Sequence, residues 1–222
     1  FKFYIKTTFF YGEERLVIPG VEWFKLNFVE NEGMAFGMAF GGSTGKLILT
    51  LFRLVAVCFI GYYLVYLIRN KAKTGLLISM ALILAGALGN IIDSVFYGVL
   101  FSESDWHIKN VAEFLPEDGG YAGLMYGKVV DMLYFPLIQG FWPEWVPFVG
   151  GEYFMFFRPV FNIADTSISI GVLMILVFQK RYFAKPEEAI EETPASEPTD
   201  AIEAPEPTVG EPGASVEHRR ED

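Results

Sequence analysis

The stretch that decides the fold is "RPVFNIADTSISIGVLMILVF", Arg158–Phe178. From Pro159 on it runs for 20 residues with one charge, Asp165. That length suffices for a helix to cross a hydrocarbon layer of about 30 Å. Two further runs share the pattern. Leu47–Ile68 carries only Arg53 in 22 residues, and Gly75–Leu100 carries only Asp93 in 26. Three such runs in 222 residues, 52% of them hydrophobic, leave too little polar surface to cover a soluble core. The sequence therefore predicts a mainly α-helical membrane protein, with spans at about 47–68, 75–98 and 159–180.

Charge sets the orientation, because cytoplasmic loops collect Lys and Arg. "RNKAK" (69–73) and "QKRYFAK" (179–185) each hold three cations and no acid, whereas 101–157 holds eight Asp/Glu against Lys109 and Lys128. The C-terminus is thus expected in the cytoplasm and 101–157 outside. Three spans with that polarity put residues 1–46 outside too. This implies a further span before Phe1, truncated here, and four spans in the parent chain. Residues 16–40 alternate β-formers with Gly and Pro and are expected to lie as a small β-cradle at the membrane surface. The formal charge of −10 is mostly a tail: 185–222 carries a net −9. Residues 186–222, rich in Pro and Glu, are predicted to be a disordered acidic cytoplasmic extension.

Several chemistries are excluded by pattern. Cys58 is the only cysteine, and His107 and His218 lie far apart, so no metal-ligand spacing exists. "GGSTGKL" (41–47) lacks the first Gly and the final Ser/Thr of a phosphate loop. The body outside the tail is nearly neutral, so no nucleic acid is expected. No cofactor is expected either, and the chain is read as a monomer.

What remains is a layer of polar side chains in apolar runs. "GNIID" (89–93) and "FNIAD" (161–165) each set an Asn three residues before an Asp, on one face of a helix. At 1.5 Å per residue, Asp93 lies about 27 Å up the second span and Asp165 about 9 Å below the outer edge of the third. Both belong to the outer leaflet. Asp131, in "GKVVDMLYFP" (127–136), is expected to dip into the same layer from the external loop. A carboxylate in a spanning helix costs at least about 2.5 kcal/mol at the helix centre, so such groups face a partner or a cavity. Two close carboxylates can share one proton and divide acid and base roles on a water molecule. A proton-coupled transporter is the alternative, but no acid or histidine occupies the inner halves of the spans. Arg53 is read as a helix-packing or snorkelling cation.

Together these segments resemble the lipoprotein signal peptidases (signal peptidase II), a family of bacterial intramembrane aspartic peptidases. The resemblance runs through most of 1–183. "NEGMAFG" (31–37), "GNIID" (89–93), "VVDMLYF" (129–135) and "FNIAD" (161–165) are similar to four family motifs in order. "FK" at the start is similar to the end of a fifth motif, with Lys2 as its lysine. The resemblance implies Asp131 and Asp165 as the catalytic pair, with Asn31, Asn90, Asp93 and Asn162 as a supporting shell. It implies a four-helix bundle with a β-cradle in the bacterial cytoplasmic (inner) membrane, with the active site near the extracytoplasmic surface. The implied substrate is the signal peptide of a prolipoprotein carrying a diacylglyceryl-cysteine, cut just before that cysteine, with membrane lipid as the surrounding partner. Ser94 stands where the family has Arg. The chain is also longer between Asp93 and Asp131 and between Asp131 and Asp165. The extra residues are expected within 101–125 and 138–157, as an external or interfacial cap.

Overall fold

The apolar runs form three long helices in the computed structural model, which describes residues 1–33 and 42–184. The chain opens with a short helix α1 (Lys2–Lys6) and strands β1 (Glu14–Leu16) and β2 (Lys25–Asn31). Helix α2 (Gly42–Arg69) and helix α3 (Thr74–Ile92) follow. α3 runs on through a π turn (Asp93–Tyr97) into α4 (Gly98–Leu100). Strands β3 (Val129–Tyr134), β4 (Ile138–Phe141), β5 (Tyr153–Phe156) and β6 (Val160–Phe161) lead into helix α5 (Ile163–Phe183). Gly42–Arg69, Thr74–Leu100 and Ile163–Phe183 are each long and apolar enough to cross a membrane. The protein is a multi-pass membrane protein with a small sheet region.

α3 is the central helix and packs against both α2 and α5. Lipid tails are as apolar as leucine, so helices associate through close packing and interhelical hydrogen bonds. The α3–α5 seam shows both. Gly86 faces the backbone carbonyl of Ala164 and the side chain of Ile168, and Gly171 faces the Ser79 carbonyl and Ile83. Ser167 Oγ donates to Leu82 O at 2.8 Å across the same seam. The outward faces of α2 and α5 remain exposed and apolar, as lipid requires.

The sheet differs from the expected cradle. Its strand order is β1-β2-β3-β6, all antiparallel. The stretch 16–40 supplies β2 and the last residue of β1; residues 34–41 lie outside those described. The other half comes from 129–134 and 160–161. Asp131 is therefore held in the strand next to β2, opposite Val29, and does not simply dip in from a loop. On β3, Val130 and Met132 face a core with Ile5, Phe9, Phe28, Tyr97 and Phe101. Asp131 points to the opposite face by the two-residue period of a strand.

Span three also starts later than expected. Pro159 ends a loop, Val160–Phe161 is a strand, and the helix begins at Ile163. Asp165 is the third helical residue, about 3 Å along the axis from the helix start, where the sequence reading put it about 9 Å deep. The first extra segment does not stand free as a cap. Residues 101–128 fold onto α1 and the sheet, with bridges Phe10↔Val111 and Phe101↔Phe114. The second carries β4 and β5, which form a separate two-stranded sheet. The acidic extension read as disordered lies outside the described residues.

A leucine at Gly86 or Gly171 would force α3 and α5 apart. We expect Gly86→Leu and Gly171→Leu to cost about 1–3 kcal/mol each, read as a lower thermal midpoint in detergent. Gly61→Ala is the control, because its added Cβ meets only Leu84 Cδ1 at 4.0 Å.

Candidate active site

Asn162 is the N-cap of α5. Its Oδ1 accepts hydrogen bonds from the backbone N–H of Ala164 (2.8 Å) and Asp165 (3.1 Å). In return Asp165 Oδ2 accepts the backbone N–H of Asn162 at 3.2 Å. This is a reciprocal capping box, which satisfies orphan N–H groups at a helix start. The three-residue spacing of "FNIAD" thus reflects a cap, with Asn162 just outside the helix and Asp165 in its first turn. The cap also fixes where each side chain points.

The other end of the Asn162 amide reaches outward. Its Nδ2 donates to Asp131 Oδ1 at 2.6 Å and to Asn90 Oδ1 at 3.1 Å. Asn90 Nδ2 in turn donates to Asp165 Oδ1 at 2.7 Å. Asn31 lies on β2 two residues from the partner of Asp131, hence on the same face, and its Nδ2 approaches Asp131 Oδ2 at 3.4 Å. Each carboxylate thus accepts an amide from a neighbouring element. Asn162 is completely buried and Asp131 only 3% exposed. Burial pushes the Asp131 carboxyl up to about 6, and the nearby Asp165 charge pushes the same way, against the hydrogen bonds from Asn162 and Asn31.

The π turn delivers β3 to this place. A widened turn leaves helix carbonyls open, and the following segment uses them. Gly127 N donates to Ser94 O, Met125 N to Val95 O and Ala122 N to Gly98 O, each at 2.9 Å. Gly127 lies so close that a Cβ there would collide with the Asp93 carbonyl. Two residues on, the chain enters β3. Asp93 completes the joint: its Oδ2 accepts the backbone N–H of Val130 at 3.0 Å. The same oxygen pairs with Lys2 Nζ at 2.7 Å, and Lys2 also donates to Asn90 Oδ1 at 2.7 Å and Gly89 O at 3.3 Å. Ser94 is buried, with its hydroxyl bonded to Asn90 O at 3.1 Å. The cation paired with Asp93 is Lys2.

All six residues singled out from the sequence, Asn31, Asn90, Asp93, Asp131, Asn162 and Asp165, join one connected network. Other contributors were missed. Arg53, read as a packing cation, donates to the Gly33 carbonyl two residues after Asn31. Lys6 and Glu30 form a buried pair at 2.5 Å, with Ser104 Oγ 3.1 Å from the ammonium. That pair ties α1 to the strand carrying Asn31. No local pattern marks it, since its partners lie 24 residues apart on different elements.

Fold and site together define a membrane protein whose paired carboxylates are held by amides near the start of a spanning helix. A family model described as signal peptidase (SPase) II matches residues 1–180. A lipoprotein signal peptidase of Porphyromonas gingivalis (strain ATCC 33277) is 50% identical over 181 residues, covering 81% of this chain and 76% of the relative. One from Amoebophilus asiaticus is 38% identical over 180 residues, covering 81% and 70%. A solved bacterial membrane enzyme at 2.3 Å resolution is 26% identical, with a TM-score of 0.47 over 83% of this chain and 82% of that one. The chain belongs to the signal peptidase II family and is a peptidase. The transporter alternative finds no support among these relatives.

Removing Asp93 leaves the partly buried Lys2 ammonium without its counter-charge and the Val130 N–H without its acceptor. Asp93→Ala is expected to destabilise the protein by about 3–5 kcal/mol, and adding Lys2→Met should recover part of that loss. Denaturant unfolding of the two variants checks this.

Proposed function

We propose that Asp131 and Asp165 share one proton and activate a water between them to cut prolipoproteins just before a diacylglyceryl-modified cysteine. The ionised carboxylate takes a proton from the water, whose oxygen attacks the scissile carbonyl. The protonated carboxyl gives its proton to the carbonyl oxygen, forming a tetrahedral diol. Collapse of the diol returns a proton to the leaving amine, which is the new N-terminus of the lipidated cysteine. The dry surroundings of Asp131 suit it to carry the shared proton, and the more accessible Asp165 suits the base role. Asn31, Asn90, Asp93 and Asn162 are positioning residues for that pair.

One observation supports the reading above all: Asn162 binds both carboxylates, Asp131 through its side chain and Asp165 through its backbone. The loop charges support a site near the extracytoplasmic surface of the bacterial inner membrane, with the C-terminus in the cytoplasm. In this reading 1–185 is the membrane peptidase domain, 186–222 an acidic cytoplasmic extension, and the working unit a monomer.

Asp131→Asn and Asp165→Asn should each abolish cleavage of a lipid-modified prolipoprotein while the protein still inserts and folds; full activity in either refutes the dyad. Asp131→Asn should also change the pH dependence of stability. The folded carboxyl holds its proton up to about pH 6, above the unfolded value near 4. Wild type should therefore lose stability between about pH 4 and 6, by about 3 kcal/mol relative to the variant.

A further inference from the structure

The β4–β5 hairpin has no role in the network above, and its chemistry is unlike that of a water-facing hairpin. Residues 137–157 contain two charges, Glu144 and Glu152, in 21 positions. Among the described residues the two strands pair only with each other. Cross-strand partners share a face, so Ile138 and Phe156 mark one side, and Phe141 and Tyr153 the other. All four are exposed. An antiparallel hairpin in water keeps at least one polar face, and two strands alone are marginally stable there. The tip goes further: Trp145 is 81% exposed and Phe148 fully exposed. So large an apolar surface on both faces and the tip calls for a partner.

The position of the hairpin says which partner. Six residues separate Phe156 from Ile163, the first residue of α5, so β5 ends within about 25 Å of the start of a membrane helix. Tyr134 on β3 donates its hydroxyl to Met155 Sδ at 2.8 Å, and Phe157 packs edge-on against Phe161. A row of stacked rings, Trp23, Phe135 and Phe161, continues along the sheet towards the same helix. The hairpin is therefore continuous with the lipid-facing surface of α5, where Ile163 is itself exposed. Trp and Phe with few charges are the side chains that settle at the boundary of headgroups and acyl chains.

We propose that the hairpin is a membrane-interface anchor whose tip, Trp145 and Phe148, inserts into the leaflet adjoining the site. Only Phe135–Leu137 separates β3 from β4. Anchoring the hairpin in lipid would thus hold the strand bearing Asp131 at a fixed height. The proposal rests on the chain spanning a membrane and is independent of which carboxylates carry out the cleavage.

The test is the environment of Trp145 in the whole protein reconstituted in phosphatidylcholine–phosphatidylglycerol vesicles. Trp23, Trp106 and Trp142 are replaced by Phe, and cleavage activity is recorded alongside. Trp145 emission should be blue-shifted, quenched by lipids brominated in the upper acyl chain, and shielded from aqueous iodide. Phe148→Ser in this background should weaken the bromolipid quenching. Iodide quenching equal to that of a free indole, with no effect of bromolipid, overturns the proposal. So does shielding that appears only at high protein-to-lipid ratio, which means a second copy, or only with lipidated substrate, which means substrate docking. If the triple variant does not fold, a spin label on Phe148→Cys in a Cys58→Ser protein gives the same answer. It should be reached by oxygen more than by an aqueous nickel chelate, and the reverse preference overturns the anchor.

Discussion

Asn162 uses one side chain for two purposes that normally belong to different residues. Its oxygen closes the start of α5, and its nitrogen reaches across to a carboxylate on β3. The start of a helix exposes backbone N–H groups that must find partners, most of all where water is scarce. A cap is therefore obligatory there, and its geometry is stiff. By making the cap from Asn and completing the box with Asp165, the chain turns an unavoidable constraint into a positioning device. Asp165 is aimed by its own helix, and Asp131 is drawn to the same residue from a strand.

The rest of the structure brings β3 within reach. A strand cannot approach the end of α3 unless backbone meets backbone, and the π turn with Gly127 provides that approach. Asp93 then joins three segments with one carboxylate oxygen: its own helix, the Val130 amide and Lys2. Such a buried pair is a weak source of stability, because desolvation offsets much of its attraction. Its value lies in specifying one arrangement. The Lys6–Glu30 pair acts alike behind the sheet, fixing the strand that carries Asn31.

How much of this could be read beforehand follows from the range of each interaction. The spans were legible because a membrane helix is written locally, as a long apolar run. Five of the six polar residues, Asn90, Asp93, Asp131, Asn162 and Asp165, were legible because carboxylates and amides are costly in or beside such runs and stand out, whereas Asn31 was marked by family likeness alone. The pairing of Val29 with Asp131 was not, since strands a hundred residues apart leave no shared local signal. The true start of α5 was hidden because Val160 and Phe161 are apolar either way, and only the sheet distinguishes strand from helix there. Lys2 stood out through family likeness alone, and Arg53 looked like a packing residue until its carbonyl partner was known.

In the proposed mechanism Asn162 serves catalysis by holding Asp131, beyond capping α5. Asn162→Ser separates the two functions, because serine is a good N-cap but is too short to reach Asp131. The decisive measurement is kcat for prolipoprotein cleavage by this variant, taken with its thermal midpoint. The expected result is a midpoint close to wild type and a large loss of kcat. A variant that keeps wild-type kcat would show that Asn162 is only a cap and that Asp131 needs no hold from it.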